Sequence, residues 1–209
     1  MKITHPKVNK YMNQLLKDRS SIFKEIEEYA KEIDFPIIEP LVGVLLNHYA
    51  MMINAKRILE LGSGFGYSAL WFSEGMNEET TIICTDFEEE NKILAEEYFQ
   101  KSETKTKIDF RLGNGIEILD ALAGDFDIIF NDVEKEDYPE VFDKAIPKLR
   151  KGGLLITDNT LWYGKVAKKR KKDYQTNGSR EYNKLAFTDK RVKSVILPIR
   201  DGITISMKL

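Results

Sequence analysis

The sequence predicts an α/β protein with a mostly parallel, doubly wound sheet, and two observations carry this prediction. From Lys56 onward, short apolar runs alternate with stretches of helical periodicity, an order typical of parallel strands joined by right-handed crossovers. The last two apolar runs, Val192–Leu197 and Ile203–Met207, are separated only by a short turn, which predicts an antiparallel pair. We therefore expect seven strands, with an antiparallel strand near the C-terminus.

Helices are predicted ahead of this sheet. Apolar side chains recur at helical spacing between Tyr11 and Ile33, and a further helix begins at Leu41. We interpret residues 1–55 as a helical cap and residues 56–209 as the α/β core that carries the site. Together they are expected to form a single domain, since the chain has 209 residues and domains of about 100–200 residues are common.

Within the core, strands and helices are predicted in alternation. The strands fall on runs of branched and aromatic side chains: Arg57–Leu61, Thr81–Asp86, Ile108–Leu112, Phe126–Phe130 and Leu154–Asp158. The helices fall on the segments between them: Tyr67–Met76, Glu88–Gln100, Gly115–Ala123 and Tyr138–Leu149.

Composition limits the classes of function. Hydrophobic residues make up 42% of the chain, and the net charge of −2 gives no general reason to expect nucleic acid or an anionic membrane. Cys84 is the single cysteine, so an internal disulfide is excluded and a buried strand thiol is expected. No apolar run approaches the ~20 residues of a membrane span, and the chain starts without a signal-like apolar stretch. We expect a cytoplasmic protein without a membrane partner.

The segment Glu60–Ser68, with glycines at positions 62, 64 and 66, predicts a nucleotide-binding loop between a strand and its helix. Asp86 ends the next strand, where an acidic side chain can accept hydrogen bonds from ribose hydroxyls. Tyr67 stands where a dinucleotide fingerprint needs its third glycine, which disfavours NAD. Glu60 would repel a pyrophosphate but suits the amino group of S-adenosylmethionine. Charge therefore favours that cofactor, and a mere packing turn is the alternative.

Oxygen-bearing side chains follow the fourth and fifth predicted strands: Asp132, Asp158 and Asn159. Such ligands suit Mg²⁺, with Ca²⁺ or Mn²⁺ as alternatives, rather than Zn²⁺. A turn or helix cap would explain the Asp-Asn pair without a metal. Lys135 lies three residues past Asp132 and is either a solvated surface lysine or a base. A nearby divalent cation would favour its neutral amine, because like charges disfavour protonation.

The chain resembles the cation-dependent class I O-methyltransferases, which include catechol O-methyltransferase, the caffeoyl-coenzyme A type and small bacterial members. The similarity extends from about residues 36–43 to the terminus. Four motifs carry it: ELGSGFGYS at 60–68, DVEK at 132–135, GGL at 152–154 and DNTLWYGKV at 158–166. The resemblance implies a Rossmann-like class I methyltransferase fold and an S-adenosylmethionine-dependent enzyme.

The resemblance also implies a role for each matching residue. Lys135 would be the catalytic lysine that takes the proton from the acceptor hydroxyl. The divalent cation would be held by Asp132, Asp158 and Asn159. The methyl donor would be contacted by Ile38, Glu60, Gly62, Ser68, Asp86, Gly115 and Asp132. Two positions depart from the family pattern: Glu134 and Asn114 both stand where the family often has Asp, and the second departure weakens the predicted adenine contact of Gly115.

The acceptor stays open. The resemblance favours a small hydroxylated molecule, catechol-like or hydroxycinnamoyl, because one cation can bind two neighbouring hydroxyls. The alternative is a 5-hydroxyuridine in tRNA, which some bacterial members methylate. The basic run Lys168–Lys172 would lie near the site and could bind phosphates of RNA or coenzyme A, or could be a solvated loop. A regulatory module without catalysis would not need the acids and lysine. Members of the family are commonly homodimers, so we expect a homodimer.

Overall fold

The computed structural model describes residues 3–16, 19–169 and 173–209. Three helices precede the first strand: α1 (Pro6–Gln14), α2 (Ser21–Glu32) and α3 (Pro40–Met52). Both α1 and α3 start with a proline, a residue whose fixed φ suits the first turn of a helix. The division of the chain at residue 55 stays a prediction.

The remaining elements follow the predicted alternation. The strands are β1 (Arg57–Leu61), β2 (Thr81–Asp86), β3 (Lys107–Leu112), β4 (Phe126–Asn131), β5 (Leu149–Thr157), β6 (Val192–Leu197) and β7 (Ile203–Lys208). The helices are α4 (Tyr67–Ser73), α5 (Glu89–Ser102), α6 (Gly115–Ala121), α7 (Tyr138–Lys148) and α8 (Tyr174–Thr188). Two 3₁₀ segments lie at Lys135–Asp137 and Trp162–Ala167.

The strands of the described residues form one seven-stranded sheet in the order β3-β2-β1-β4-β5-β7-β6. Strands β1 to β5 pair in parallel, whereas β7 is antiparallel to both β5 and β6. The predicted fold class is therefore confirmed. The strand order reverses between β1 and β4, and ligands of doubly wound sheets bind at such a point, beyond the carboxyl ends of the strands.

Apolar side chains cover both faces of the sheet. One face packs against α2 to α5 and the other against α6 to α8. Successive strand residues alternate between the two faces, so that the fully buried Ile58 belongs to one apolar layer and the fully buried Leu59 to the other. Cys84 is fully buried in β2, as predicted. In the described part of the chain, we find no helix with the length and apolar character that crossing a membrane requires.

Several predicted boundaries were wrong, most of all the start of β5, and one helix was missed. Strand β5 begins at Leu149, not at Leu154, because Gly152 takes a positive φ of 76° and lets the strand pass an irregularity opposite β4. Helix α8 was not predicted at all. Its first turn is mostly polar and it contains Gly178, so the sequence of this segment shows little helical periodicity or propensity. The helix is nevertheless capped by Asp173, which accepts a hydrogen bond from the Thr176 amide at 2.9 Å.

Gly178 allows α8 to lie directly on the 3₁₀ turn that carries Lys135. A Cβ atom at this position would overlap the carbonyl oxygen of Lys135 and lie 2.7 Å from the Cα atom of Glu136. The absence of a side chain at position 178 is therefore a packing requirement, and it fixes the backbone of Lys135 against a helix from a distant part of the chain.

Replacing Gly178 with alanine should destabilise the protein by about 1–3 kcal/mol, because the added methyl group must push α8 away from Lys135. In an unconstrained helix the same change would stabilise by about 1 kcal/mol. Urea unfolding measures the difference. Gly124→Ala is the matched control, since its Cβ would meet the Lys148 backbone at an ordinary 3.5 Å. Equal stability of the two variants would contradict the packing argument.

Candidate active site

A cavity of about 350 Å³ opens at the carboxyl ends of the central strands. Its walls are the glycine loop, the end of β2, residues 113–116, residues 132–135 and, from the N-terminal side, residues 35–38. Its size suits a small organic ligand, since ligand pockets commonly span about 300–1,000 Å³.

The glycine loop is held against the strands on both sides. Gly62 has a φ of 82°, and a Cβ there would lie 2.7 Å from the carbonyl oxygen of Asp132. Asp86 accepts a hydrogen bond from the Gly64 amide at 2.9 Å. Tyr67, which occupies the place of a third glycine, donates its hydroxyl to Glu27 of α2 at 2.5 Å. The tyrosine therefore ties the loop to the N-terminal helices.

Glu60 lies fully buried behind Ser68, whose hydroxyl donates to it and lines the cavity. Burial raises the pKa of Glu60 to about 7, the hydrogen bonds from Ser68 and Ser63 oppose that shift, and nearby Asp132 adds to it. A positively charged ligand in the loop would favour the ionised form of this carboxyl.

The other predicted contacts with the methyl donor also lie on the cavity. Ile38 is buried in its N-terminal wall, 4% exposed. Gly115 begins α6, where Asn114 caps the helix by accepting a hydrogen bond from the Ile116 amide at 2.8 Å. The structure therefore gives Asn114 a capping role that does not require an aspartate. Six of the predicted donor contacts therefore line the cavity: Ile38, Gly62, Ser68, Asp86, Gly115 and Asp132.

The two acids predicted to hold a cation meet at the ends of β4 and β5. Asp158 is fully buried; its Oδ1 accepts the Asn159 amide at 2.7 Å and its Oδ2 accepts an Arg200 guanidinium N–H at 2.6 Å. Asp132 and Asn159 line the cavity. Burial raises the pKa of Asp132 to about 7, and repulsion by Asp158 adds to the shift.

These residues fit a hard divalent cation. Their donor atoms are all oxygens, which is the chemistry that such a cation prefers. Burial raises the pKa of both Asp132 and Asp158, whereas Lys135 and Arg200 lower both. Among the described residues, no cluster of three or more His, Cys, Asp and Glu side chains could hold a metal. The set here has only two carboxylates, and its third oxygen donor is the amide of Asn159. Metal binding itself stays a prediction.

Lys135 points into the same region. Its Nζ lies 3.6 Å from Asp132 Oδ1 and donates to the Val133 carbonyl oxygen at 3.3 Å. It also faces the rings of Tyr138 and Trp162, 5.6 and 5.4 Å from their centroids. Only 12% of the side chain is exposed, so Lys135 is not a solvated surface lysine. The structure therefore places its amine beside the Asp132 carboxylate at the cavity, and its role as a base stays a prediction.

Sequence reasoning missed several residues that line the cavity, among them two phenylalanines and an arginine. Phe35 and Phe87 contribute aromatic surface, and Phe87 is 69% exposed although it directly follows Asp86. Its place after an acidic strand end was a signal that could have found it. Arg200 was considered only as part of the turn between β6 and β7. No sequence signal connects it to Asp158.

In the chain, the basic run begins shortly after Asn159. Lys168 and Lys169 are exposed and follow the 3₁₀ segment Trp162–Ala167, which continues from Asn159. The rest of the run, residues 170–172, lies outside the described residues.

Comparison with known proteins agrees with this arrangement. Residues 14–209 match the family model described as O-methyltransferase. The chain belongs to the O-methyltransferase family. It is 34% identical over 178 residues to caffeoyl-CoA O-methyltransferase 1 of Eucalyptus globulus, covering 80% of this chain and 72% of that protein. The predicted family and the predicted enzyme class, an O-methyltransferase, are therefore confirmed.

Solved structures share the fold. An O-methyltransferase from Bacillus cereus in complex with SAH superposes with a TM-score of 0.88 at 23% identity, over 97% of each chain. The O-methyltransferase TomG from Streptomyces achromogenes in complex with SAM superposes with a TM-score of 0.84 at 24% identity, over 97% of this chain and 96% of that one. The cation, the acceptor, the homodimer and the cytoplasmic location stay predictions.

Replacing Glu60 with glutamine should change how stability depends on pH. The folded-state pKa of about 7 lies above the ordinary value of 4.5, so the contribution of Glu60 is complete at low pH and is lost as pH rises through about 7. Glutamine cannot ionise. The Tm of Glu60→Gln relative to the native protein should therefore rise steadily from about pH 5 to about pH 8.

Thermal melts across that pH range measure the effect. Glu28→Gln, an exposed change within α2, is the matched control and should give a Tm difference that does not vary with pH. The same flat profile for Glu60→Gln would show that Glu60 is ionised throughout, against the effect of its burial.

Proposed function

We propose that this protein is an S-adenosylmethionine-dependent, divalent-cation-dependent O-methyltransferase that acts on a small hydroxylated acceptor. One observation carries the proposal. Asp132, Lys135 and Asn159 line one side of the cavity, with the buried Asp158 behind them, and the glycine loop and Asp86 line the other. A methyl donor and an acceptor hydroxyl would therefore meet beside a base and a set of oxygen ligands.

The donor side of the cavity supports S-adenosylmethionine. Glu60 and Asp132 place two carboxyl groups near the loop. A sulfonium compound with an amino group would favour their ionised forms, whereas a nucleoside triphosphate would be repelled by them. Family relatives of the same fold include one solved with SAM and one with SAH, the product that remains after methyl transfer. Asp86 keeps carboxylate oxygens at the cavity, suited to ribose hydroxyls.

The acceptor side supports proton removal followed by in-line transfer. Asp132, Asp158 and Asn159 would hold the divalent cation, which when bound would stabilise the acceptor oxyanion and orient two neighbouring oxygens. Lys135 Nζ, 3.6 Å from Asp132 Oδ1, would accept the proton of the acceptor hydroxyl. The acceptor oxygen would then form a bond to the methyl carbon of the donor, and the donor sulfur would leave with the electron pair of the broken carbon–sulfur bond. The buried wall around Lys135 would exclude competing water.

Three observations support a class of acceptor. Two adjacent hydroxyls on an aromatic ring fit a site where one cation can bind both, and the curated relatives include caffeoyl-CoA O-methyltransferases. The exposed Lys168 and Lys169 favour an acceptor that carries phosphate, as coenzyme A does. The same lysines support a second candidate, a tRNA 5-hydroxyuridine, because they would also bind an RNA backbone.

Removal of the cation, or of a side chain predicted to hold it, should stop methyl transfer without preventing binding of the methyl donor. We expect Asp132→Asn to lower kcat by about 10²-fold or more, since electrostatic stabilisation of the oxyanion depends on it. SAH binding, measured by calorimetry, should weaken far less. Glu136→Gln, an exposed change near Lys135, is the control and should retain activity. Full turnover after exhaustive dialysis against EDTA would refute the cation dependence.

A labelling experiment would decide between the acceptors. The protein is incubated with S-adenosylmethionine labelled in its methyl group, Mg²⁺, and either a panel of catechols and caffeoyl-coenzyme A or tRNA that carries 5-hydroxyuridine. We expect label in the small acceptors, and about 10²-fold less in matched compounds with one hydroxyl, which cannot bind the cation through two oxygens. Label in tRNA alone would overturn the small-molecule proposal.

A further inference from the structure

Arg200 is a cation that the chain itself places on a predicted metal ligand. Its guanidinium donates to Asp158 Oδ2 at 2.6 Å and to the carbonyl oxygen of Ile37 at 3.1 Å. The Arg200 side chain is 23% exposed, whereas Asp158 is fully buried. The pair therefore lies at the inner end of the cavity, with the arginine on its solvent side.

The backbone of Arg200 shows that this position is held against a local preference. Its φ of 49° lies in the left-handed region, which costs a residue with a Cβ about 1 kcal/mol or more relative to glycine. It lies in the turn that connects β6 and β7, next to Asp201, which accepts the Tyr163 amide at 2.5 Å. A strained residue whose side chain reaches a buried carboxylate points to a role for that side chain.

The negative charge in the site is too small to stabilise both a guanidinium and a divalent cation. Asp132 and Asp158 carry at most two negative charges, and Lys135 and Arg200 already face them. A divalent cation added to this set would be repelled by both side chains, and the hydrogen bond from Arg200 already occupies one of the two carboxylate oxygens of Asp158.

On the basis of the proposed cation site, we infer that Arg200 is a tethered cation that competes with the divalent metal for Asp158. Without metal, the guanidinium neutralises the buried carboxylate and keeps the site folded. Metal binding requires Arg200 to release Asp158, so the site binds its cation more weakly than its oxygen ligands alone would. Release of Asp158 also loosens the bond from Arg200 to Ile37, in the segment that covers the cavity beside Ile38.

The test measures metal affinity directly, without turnover. Free Mn²⁺ is followed by electron paramagnetic resonance during titration of the native protein and of the variants Arg200→Gln, Arg200→Gly and Arg200→Lys. Arg200→Gln removes the positive charge and keeps the backbone strain, Arg200→Gly removes both the charge and the strain, and Arg200→Lys keeps both. We expect the first two to bind Mn²⁺ about 10-fold or more tightly than the native protein, and the third to remain close to it.

Arg191→Gln is the matched control, since it removes an arginine that pairs with Asp189 at the other end of β6 and should leave Mn²⁺ affinity unchanged. Thermal melts verify that each variant is folded. Tighter binding by Arg200→Gly alone would assign the effect to backbone strain and overturn the inference, as would equal affinity in native and Arg200→Gln proteins. Absence of Mn²⁺ binding in every variant would instead refute the cation site of the proposed function.

Discussion

The parallel pairing of β4 with β1 on one side and β5 on the other positions the two acids of the site. Asn131 at the end of β4 is opposite both Leu61 and Thr157, and the ladder continues one residue further through the Asp132 and Asp158 amides. A slip by one residue would turn both acids to the other face of the sheet. The register of three buried strands, set by their apolar side chains, therefore determines where the carboxylates meet.

This placement creates an electrostatic problem that the chain solves with its own cations. Asp158 is fully buried and the Asp132 side chain is only 26% exposed, and two neighbouring acids with so little water are unfavourable unless positive charge accompanies them. Lys135 and Arg200 supply that charge, one from the turn after β4 and the other from the turn after β6. The acids that are predicted to hold a cation are thus the groups that need compensation when no cation is bound.

The sequence was sufficient for features that depend on local pattern. Strands β1 and β2 have the predicted ends, because apolar runs bounded by turns specify buried strands. Loop and strand-end residues were predicted to share one cavity because the parallel topology brings them together. Arg200 could not be predicted, since its contact with Asp158 spans 42 residues and depends on a left-handed turn residue. Helix α8 was not predicted because its tertiary packing, and not its amino-acid composition, stabilises it.

The missed helix is also the element that holds the Lys135 turn in place. Helix α8 contacts this turn through Gly178, and its Asn183 donates to the Thr160 carbonyl at 2.8 Å, just beyond Asn159. One helix therefore fixes both the Lys135 turn and the segment after Asn159, and its own residues do not line the cavity. Under the proposed function, changes in α8 and in the segment after Asn159 would alter acceptor choice while the glycine loop and its contacts with the N-terminal helices stay as they are.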